Sequence, residues 1–213
     1  MNQRNSLVAA IDVGTFDNWG MAINDIPPQG ITENRLVYLQ WIIERIATEL
    51  DKKSKLVALG FESPLWVPVR RDAPSLLKAR KGESSRSWSA GAGATVLATS
   101  LPVMSWWFSE ISNKMHEQAK ATTDPKHWVP GTLFVWEAYV SGTGKTKGDD
   151  TMNQHDRDAS DAIAAFLGKE NIHKSDLSCE EDERIFSTVS QCLKFSGYEI
   201  VGDANFPTIV VKS

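Results

Sequence analysis

Three short stretches of this chain set carboxylates where carboxylates are costly. Residues 6–12 form an apolar run that closes on Asp12, within Ile11-Asp12-Val13-Gly14-Thr15. Leu56-Val57-Ala58-Leu59-Gly60-Phe61-Glu62 repeats the pattern and closes on Glu62. The third, His155-Asp156-Arg157-Asp158-Ala159-Ser160-Asp161-Ala162, reads as a helix. Taking an unpaired charge out of water costs several kcal/mol or forces its protonation. A helix cap or a salt bridge accounts for Asp12 or Glu62 taken alone. At about 100° per residue, Asp158 and Asp161 stand about 60° apart on one helix face. Ile163, Phe166 and Leu167 take another face, and Asp156 points away from the acid pair. Like charges one turn apart destabilise a helix unless a cation lies between them. The competing account is a solvated helix N-terminus, where acids are favoured by the helix dipole. Taken together, four carboxylates on two strand ends and one helix face are what two-metal cleavage of a phosphodiester needs. Hard oxygen ligands suit Mg2+ or Mn2+. His155, one turn before Asp158, is an accessory candidate or a surface histidine.

Regular elements must hold those acids. Residues 6–12 run apolar without alternation, which predicts a strand buried on both faces. Residues 19–24 read as its hairpin partner, with 14–18 as the turn. Leu36, Leu39, Ile43, Ile46 and Leu50 recur at spacings of 3, 4, 3 and 4, an amphipathic helix ended by Lys52-Lys53-Ser54-Lys55. Residues 56–62 give a second buried strand, stopped by Pro64 and Pro68. Leu97, Leu101, Met104, Phe108, Ile111 and Met115 form a second helical stripe. Pro102 either kinks that helix or follows an N-cap at Ser100. Residues 132–139 are a third strand, 151–167 a helix, 180–195 another helix, and 208–212 an edge strand. The alternation argues for an α/β layered domain with a mixed sheet.

The chain has 213 residues, 41% apolar and 23% charged, with a net charge of −4. That size suits one domain with a small appendage. The charge argues against a dedicated, nonspecific duplex binder, which carries a basic excess. A local basic strip remains compatible with it. Residues 64–90 form a long, weakly periodic insertion with Arg70, Arg71, Lys78, Arg80, Lys81 and Arg86, a candidate seat for a nucleic-acid backbone. Trp66 and Trp88 lie in it and either stack bases or are buried. Ser-Gly-Thr-Gly-Lys-Thr-Lys at 141–147 lacks the first glycine of a phosphate-binding loop, since Tyr139 holds that position. It reads as a basic loop that is either plainly solvated or touches nucleic acid through Lys145 and Lys147. Trp106-Trp107-Phe108 cannot all face one core, which suggests an exposed tryptophan at a homodimer or partner surface. No apolar segment is long enough to span a bilayer. The N-terminal apolar run is too short for a signal peptide and lacks a small-residue cleavage site. Cys179 and Cys192 match no common metal spacing, and reduced thiols in a cytoplasmic protein are the expectation.

Asp12 on the first strand, Glu62 on a later strand and Asp-Ala-Ser-Asp-Ala-Ile-Ala-Ala-Phe at 158–166 resemble the RuvC branch of the ribonuclease-H-like superfamily, including its uncharacterised predicted nucleases. The resemblance covers about residues 6–168. It implies a ribonuclease-H-like mixed sheet flanked by helices, with a basic insertion near 64–90 and a helical and strand extension over 169–213. It implies that Asp12, Glu62, Asp158 and Asp161 are both catalytic and metal ligands, for Mg2+ or Mn2+. It implies hydrolysis of phosphodiester bonds in DNA or RNA, with Arg70, Arg71, Arg80, Lys81, Arg86 and Lys145 against the nucleic acid. Ile-Asp-Val-Gly-Thr also resembles the first phosphate loop of the actin, Hsp70 and sugar-kinase superfamily, which implies ATP binding. That superfamily carries two such domains, and a second Asp-x-Gly-x-Gly turn is missing from the sequence. A ribonuclease-H-like scaffold that binds a partner and cuts nothing is the third reading. Glu83 and Glu137 are left open as neighbours or members of the site.

Overall fold

The computed structural model describes residues 5–15, 19–83, 87–139 and 153–213. The two runs that close on acids are strands β1 (Ser6–Asp12) and β3 (Leu56–Glu62). They lie side by side and parallel, in a register that pairs Asp12 with Glu62. β2 (Gly20–Ile23) pairs antiparallel with β1, as the expected hairpin partner. β6 (Leu133–Tyr139) runs parallel on the far side of β3. β5 (Lys120–Thr122) and β8 (Glu199–Ile200) extend the parallel set, and β9 (Val210–Lys212) pairs with the C-terminal end of β6. The sheet therefore has seven strands in the order β2-β1-β3-β6-β5-β8, with β9 also beside β6. Four α-helices flank it among the described residues: α1 (Arg35–Lys52), α2 (Gly91–Lys114), α3 (Gln154–Gly168) and α4 (Thr188–Phe195). The molecule is a mixed α/β fold with a mostly parallel central sheet, and no described helix is long and apolar enough to cross a membrane.

Side-chain alternation explains why β1 has no polar face. Leu7, Ala9 and Ile11 pack with α1, α2 and α4, while Val8 and Ala10 pack with α3. Both faces of the parallel strands are covered, so both sets must be apolar. α1 starts at Asn34, whose side chain accepts from the Leu36 and Val37 amides, and ends at Lys53 in the left-handed region, φ 52°. Its buried stripe is Leu39, Ile42, Ile43, Ile46 and Leu50; Leu36, which heads the predicted stripe, is exposed. On the α3 face, Trp136 stacks on Phe166 with ring centroids 4.5 Å apart. Gly60 makes room for that indole, since a Cβ there would sit 2.4 Å from it.

Several elements depart from the expectations. α2 starts at Gly91 and runs through Pro102 as one helix. Ser100 is not its cap: its hydroxyl donates to the Leu97 carbonyl at 2.8 Å. Packing against α1 and α4 holds the helix together across the proline. The basic insertion contains β4 (Trp66–Val69), and the expected helix over 180–195 is split into β7 (Arg184–Ser187) and the shorter α4. β4 and β7 form a separate two-stranded sheet, an edge setting in which Pro68 costs no ladder bond on its outer side. The segment after residue 168 returns β8 and β9 to the central sheet. Of the aromatic triplet, Trp107 and Phe108 are buried and Trp106 is exposed. Cys179 and Cys192 are free thiols.

Candidate metal centre

Register and alternation force the first two acids together. Asp12 follows Val8 and Ala10, so its side chain leaves β1 toward α3. Glu62 follows Ala58 and Gly60 and does the same from β3. Adjacent strands lie about 4.8 Å apart, so paired residues on one face are neighbours. Both acids sit at the C-terminal ends of parallel strands, where open α/β sheets place ligands. α3 brings the third: Asp158 is 3% exposed and faces the sheet with Ala159, Ala162, Ile163 and Phe166. One oxygen from each of Asp12, Glu62 and Asp158 lies within 4.8 Å of the others.

Two described side chains contact these acids. His155 Nδ1 lies 2.5 Å from Asp12 Oδ2. Gln154 Nε2 donates to Asp158 Oδ1 at 2.7 Å. Burial pushes the Asp12 carboxyl above its ordinary range; hydrogen bonds with His155 and Glu62 and the charge of His155 pull it back, and the Asp158 charge pushes it further up. Three carboxylates with one half-exposed histidine form a donor set that a hard divalent cation would complete. Asp156 works elsewhere: its Oδ1 accepts from the Met21 amide at 2.9 Å and docks the start of α3 on β2.

That docking leaves no space at Gly20. A Cβ there would lie 1.9 Å from the His155 carbonyl oxygen and 2.9 Å from Asp12 Cβ. Gly20→Ala must therefore push α3 off β2, carrying Asp158 away from Asp12. We expect a loss of about 1–3 kcal/mol, the range for an overpacked core, read as a lower Tm. Cation affinity, measured by calorimetric titration, should fall by at least about tenfold. Unchanged affinity in this variant would mean that the three acids do not act as one site.

The other expected site residues scatter. Asp161 is exposed on α3 and stands outside the three-acid group. Arg86 and Lys145 lie outside the described residues. Arg71 and Lys81 are exposed, and Lys81 Nζ lies 3.3 Å from Glu180 Oε2. Arg80 and Arg70 are engaged by other groups of the protein. Arg80 is 2% exposed, with its guanidinium over the Trp66 ring and bidentate on Glu137 at 2.6 and 2.8 Å. It also donates to Glu83 at 2.9 and 3.0 Å. Burial opposes its charge, but the two carboxylates outweigh it and keep the guanidinium protonated. Arg70 is bound to Glu183 and to the carbonyls of Ser75, Lys78 and Ala79. Both arginines fasten the insertion to the body. Trp66 is likewise buried, donating to the Thr208 carbonyl at 3.1 Å.

Glu137 neighbours the site without joining the acid group. It pairs in register with Phe61, so it leaves the sheet on the face opposite Glu62. Its carboxylate is taken up by Arg80 and by the Leu65 amide at 2.9 Å. A cleft opens over the strand ends, lined by Asp12, Glu62, Ser63, Glu83, Glu137 and the first turns of α2. Sequence reasoning missed Ser63, Gln154, Gly20 and the Gly91-Ala92-Gly93 start of α2. Only the last carries a local signal, a run of small residues before an apolar stripe. Comparisons with protein-family models, with curated proteins and with solved structures return no match for this chain.

Proposed function

We propose that this chain is a Mg2+- or Mn2+-dependent nuclease of ribonuclease-H-like design, hydrolysing phosphodiester bonds of DNA or RNA. The convergence of Asp12, Glu62 and Asp158 carries the reading. Two adjacent parallel strand ends and one helix give the three oxygens a common focus. The donor chemistry fits: all are hard carboxylate oxygens, and Asp12 is driven toward protonation where no cation compensates it. The antiparallel β1–β2 hairpin followed by parallel β3 and β6 is compatible with the resemblance of the three motifs. A bound divalent ion would supply a polarised water and neutralise charge on the phosphate. Asp12, Glu62 and Asp158 would hold and orient it. Asp161 faces solvent one turn further along α3. A binding scaffold has no use for repelling carboxylates held this close. Nucleic acid is the partner in this reading, and the cytoplasm its setting.

The test is cleavage of labelled single- and double-stranded DNA and RNA with Mn2+, Mg2+ or EDTA. We expect metal-dependent cutting that falls by about a thousandfold in Asp158→Asn, a loss of about 4 kcal/mol of transition-state stabilisation. If no substrate is cut and Mn2+ does not raise the Tm, the reading fails and a binding scaffold takes its place.

A further inference from the structure

The cleft has a lining that the three acids do not explain. The same cleft over the strand ends is also lined by Ala92, Gly93 and Val96, from the first turns of the 24-residue α2. The opening N–H groups of a helix have no partner within the helix, and they carry its positive dipole end. Here no described side chain caps them, and the first turn contains no acid. The Gly93 amide donates to the Ala90 carbonyl at 3.2 Å, and the exposed Gly91 and Ala92 carry the opening amides that remain. Gly91 sits at φ 51°, in the left-handed region. Gly93 passes so close to Ser87 that a Cβ would lie 2.2 Å from its carbonyl oxygen.

Ser63 gives an independent sign of a ligand. It lines the same cleft, is 3% exposed, and its hydroxyl has no hydrogen-bond partner among the described residues. A buried hydroxyl left unsatisfied is uncommon and costs stability. The chain brings it there by turning sharply after Glu62, with the Ser63 amide donating back to the Phe61 carbonyl at 2.9 Å. The cleft thus brings an unpaired hydroxyl and a helix N-terminus alongside the carboxylates.

We propose that Ser63 and the N-terminal turn of α2 seat a phosphate group of the substrate, facing the cation held by Asp12, Glu62 and Asp158. This rests on the nuclease reading, because an anion enters beside those acids only after a cation has compensated them. Arg80 holds both Glu83 and Glu137 and balances one of their two charges, which leaves the other for the cation to offset. Phosphate binding is therefore metal-dependent.

The experiment titrates inorganic phosphate calorimetrically into Mg2+-loaded wild type, Ser63→Ala and Ala92→Glu, after separate Mg2+ titrations. Ala92 is exposed in the first helical turn, where an acid is tolerated. We expect Mg2+ affinity within about twofold of wild type in both variants. Phosphate affinity should fall roughly tenfold in each, the scale of one hydrogen bond to a charged oxygen. Ser63→Ala should also melt no lower than wild type, because it removes an unsatisfied hydroxyl. Failure of phosphate to bind loaded wild type, or unchanged affinity in both variants, overturns the seat while leaving the metal site intact. Absence of Mg2+ binding overturns both. Competition then separates the sources. Displacement by a short oligonucleotide without terminal phosphates supports a backbone diester. Displacement by a nucleoside monophosphate alone keeps the seat and overturns the nuclease reading.

Discussion

Arg80→Ala is expected to cost about 3–5 kcal/mol, the penalty for leaving a buried charge without its partner. The guanidinium is the only described cation touching Glu137, and it also holds Glu83. Without it, two carboxylates whose side chains are only 1% exposed lose their cation. At this chain length 1 kcal/mol shifts Tm by about 2–4 °C, so the variant should melt roughly 10 °C lower. A triple replacement, Arg80→Met with Glu83→Gln and Glu137→Gln, removes the charges together and should recover most of the loss. Arg71→Ala and Lys81→Ala, at exposed positions, should stay within about 0.5 kcal/mol of wild type. Thermal melts of these variants check the assignment. An Arg80→Ala protein that melts like wild type but loses nucleic-acid affinity would return Arg80 to the substrate interface.

The contrast between Arg80 and Asp12 shows what a sequence makes legible here. β1, β3 and β6 were readable because each is a continuous apolar run between breakers, and the acids closing β1 and β3 mark a sheet edge. Register then places Asp12 beside Glu62 without further information. Arg80 sits among other basic residues and reads as solvated. Its burial depends on Glu137, 57 residues away, whose strand reads as apolar with one isolated acid. β4 and β7 are similarly silent: each is four residues long, and Trp66 finds its partner at Ser187. So short a strand has no periodicity of its own. Asp161 shows the limit of helical spacing. A 60° offset is small, yet it suffices to bury Asp158 and expose Asp161, because the sheet-facing arc of α3 ends between them.

Asp12→Asn should separate stability from function in opposite directions. In the metal-dependent assay it should lose about a thousandfold, as a removed ligand disorders the ion and its water. Without metal, its effect on stability should change with pH. The folded Asp12 carboxyl titrates above its ordinary value, with burial the largest cause. Between the unfolded and folded values, the native state holds the extra proton, so stability falls as pH rises through that window. The contribution of Asp12 is therefore full below the unfolded value and lost above the folded one. Asparagine cannot ionise, so in EDTA the variant should gain on wild type as pH climbs above the ordinary aspartate value. The hydrogen bond with His155 works the other way, and a His155→Gln background removes the imidazole. With Mn2+ at a hundred times its Kd, wild type should gain about 2.7 kcal/mol, which the variant largely forgoes. Paired melts in EDTA and Mn2+ across that range test both halves. A constant offset with pH, together with equal Mn2+ shifts in the two proteins, would identify Asp12 as a structural partner of His155 and remove it from the metal site.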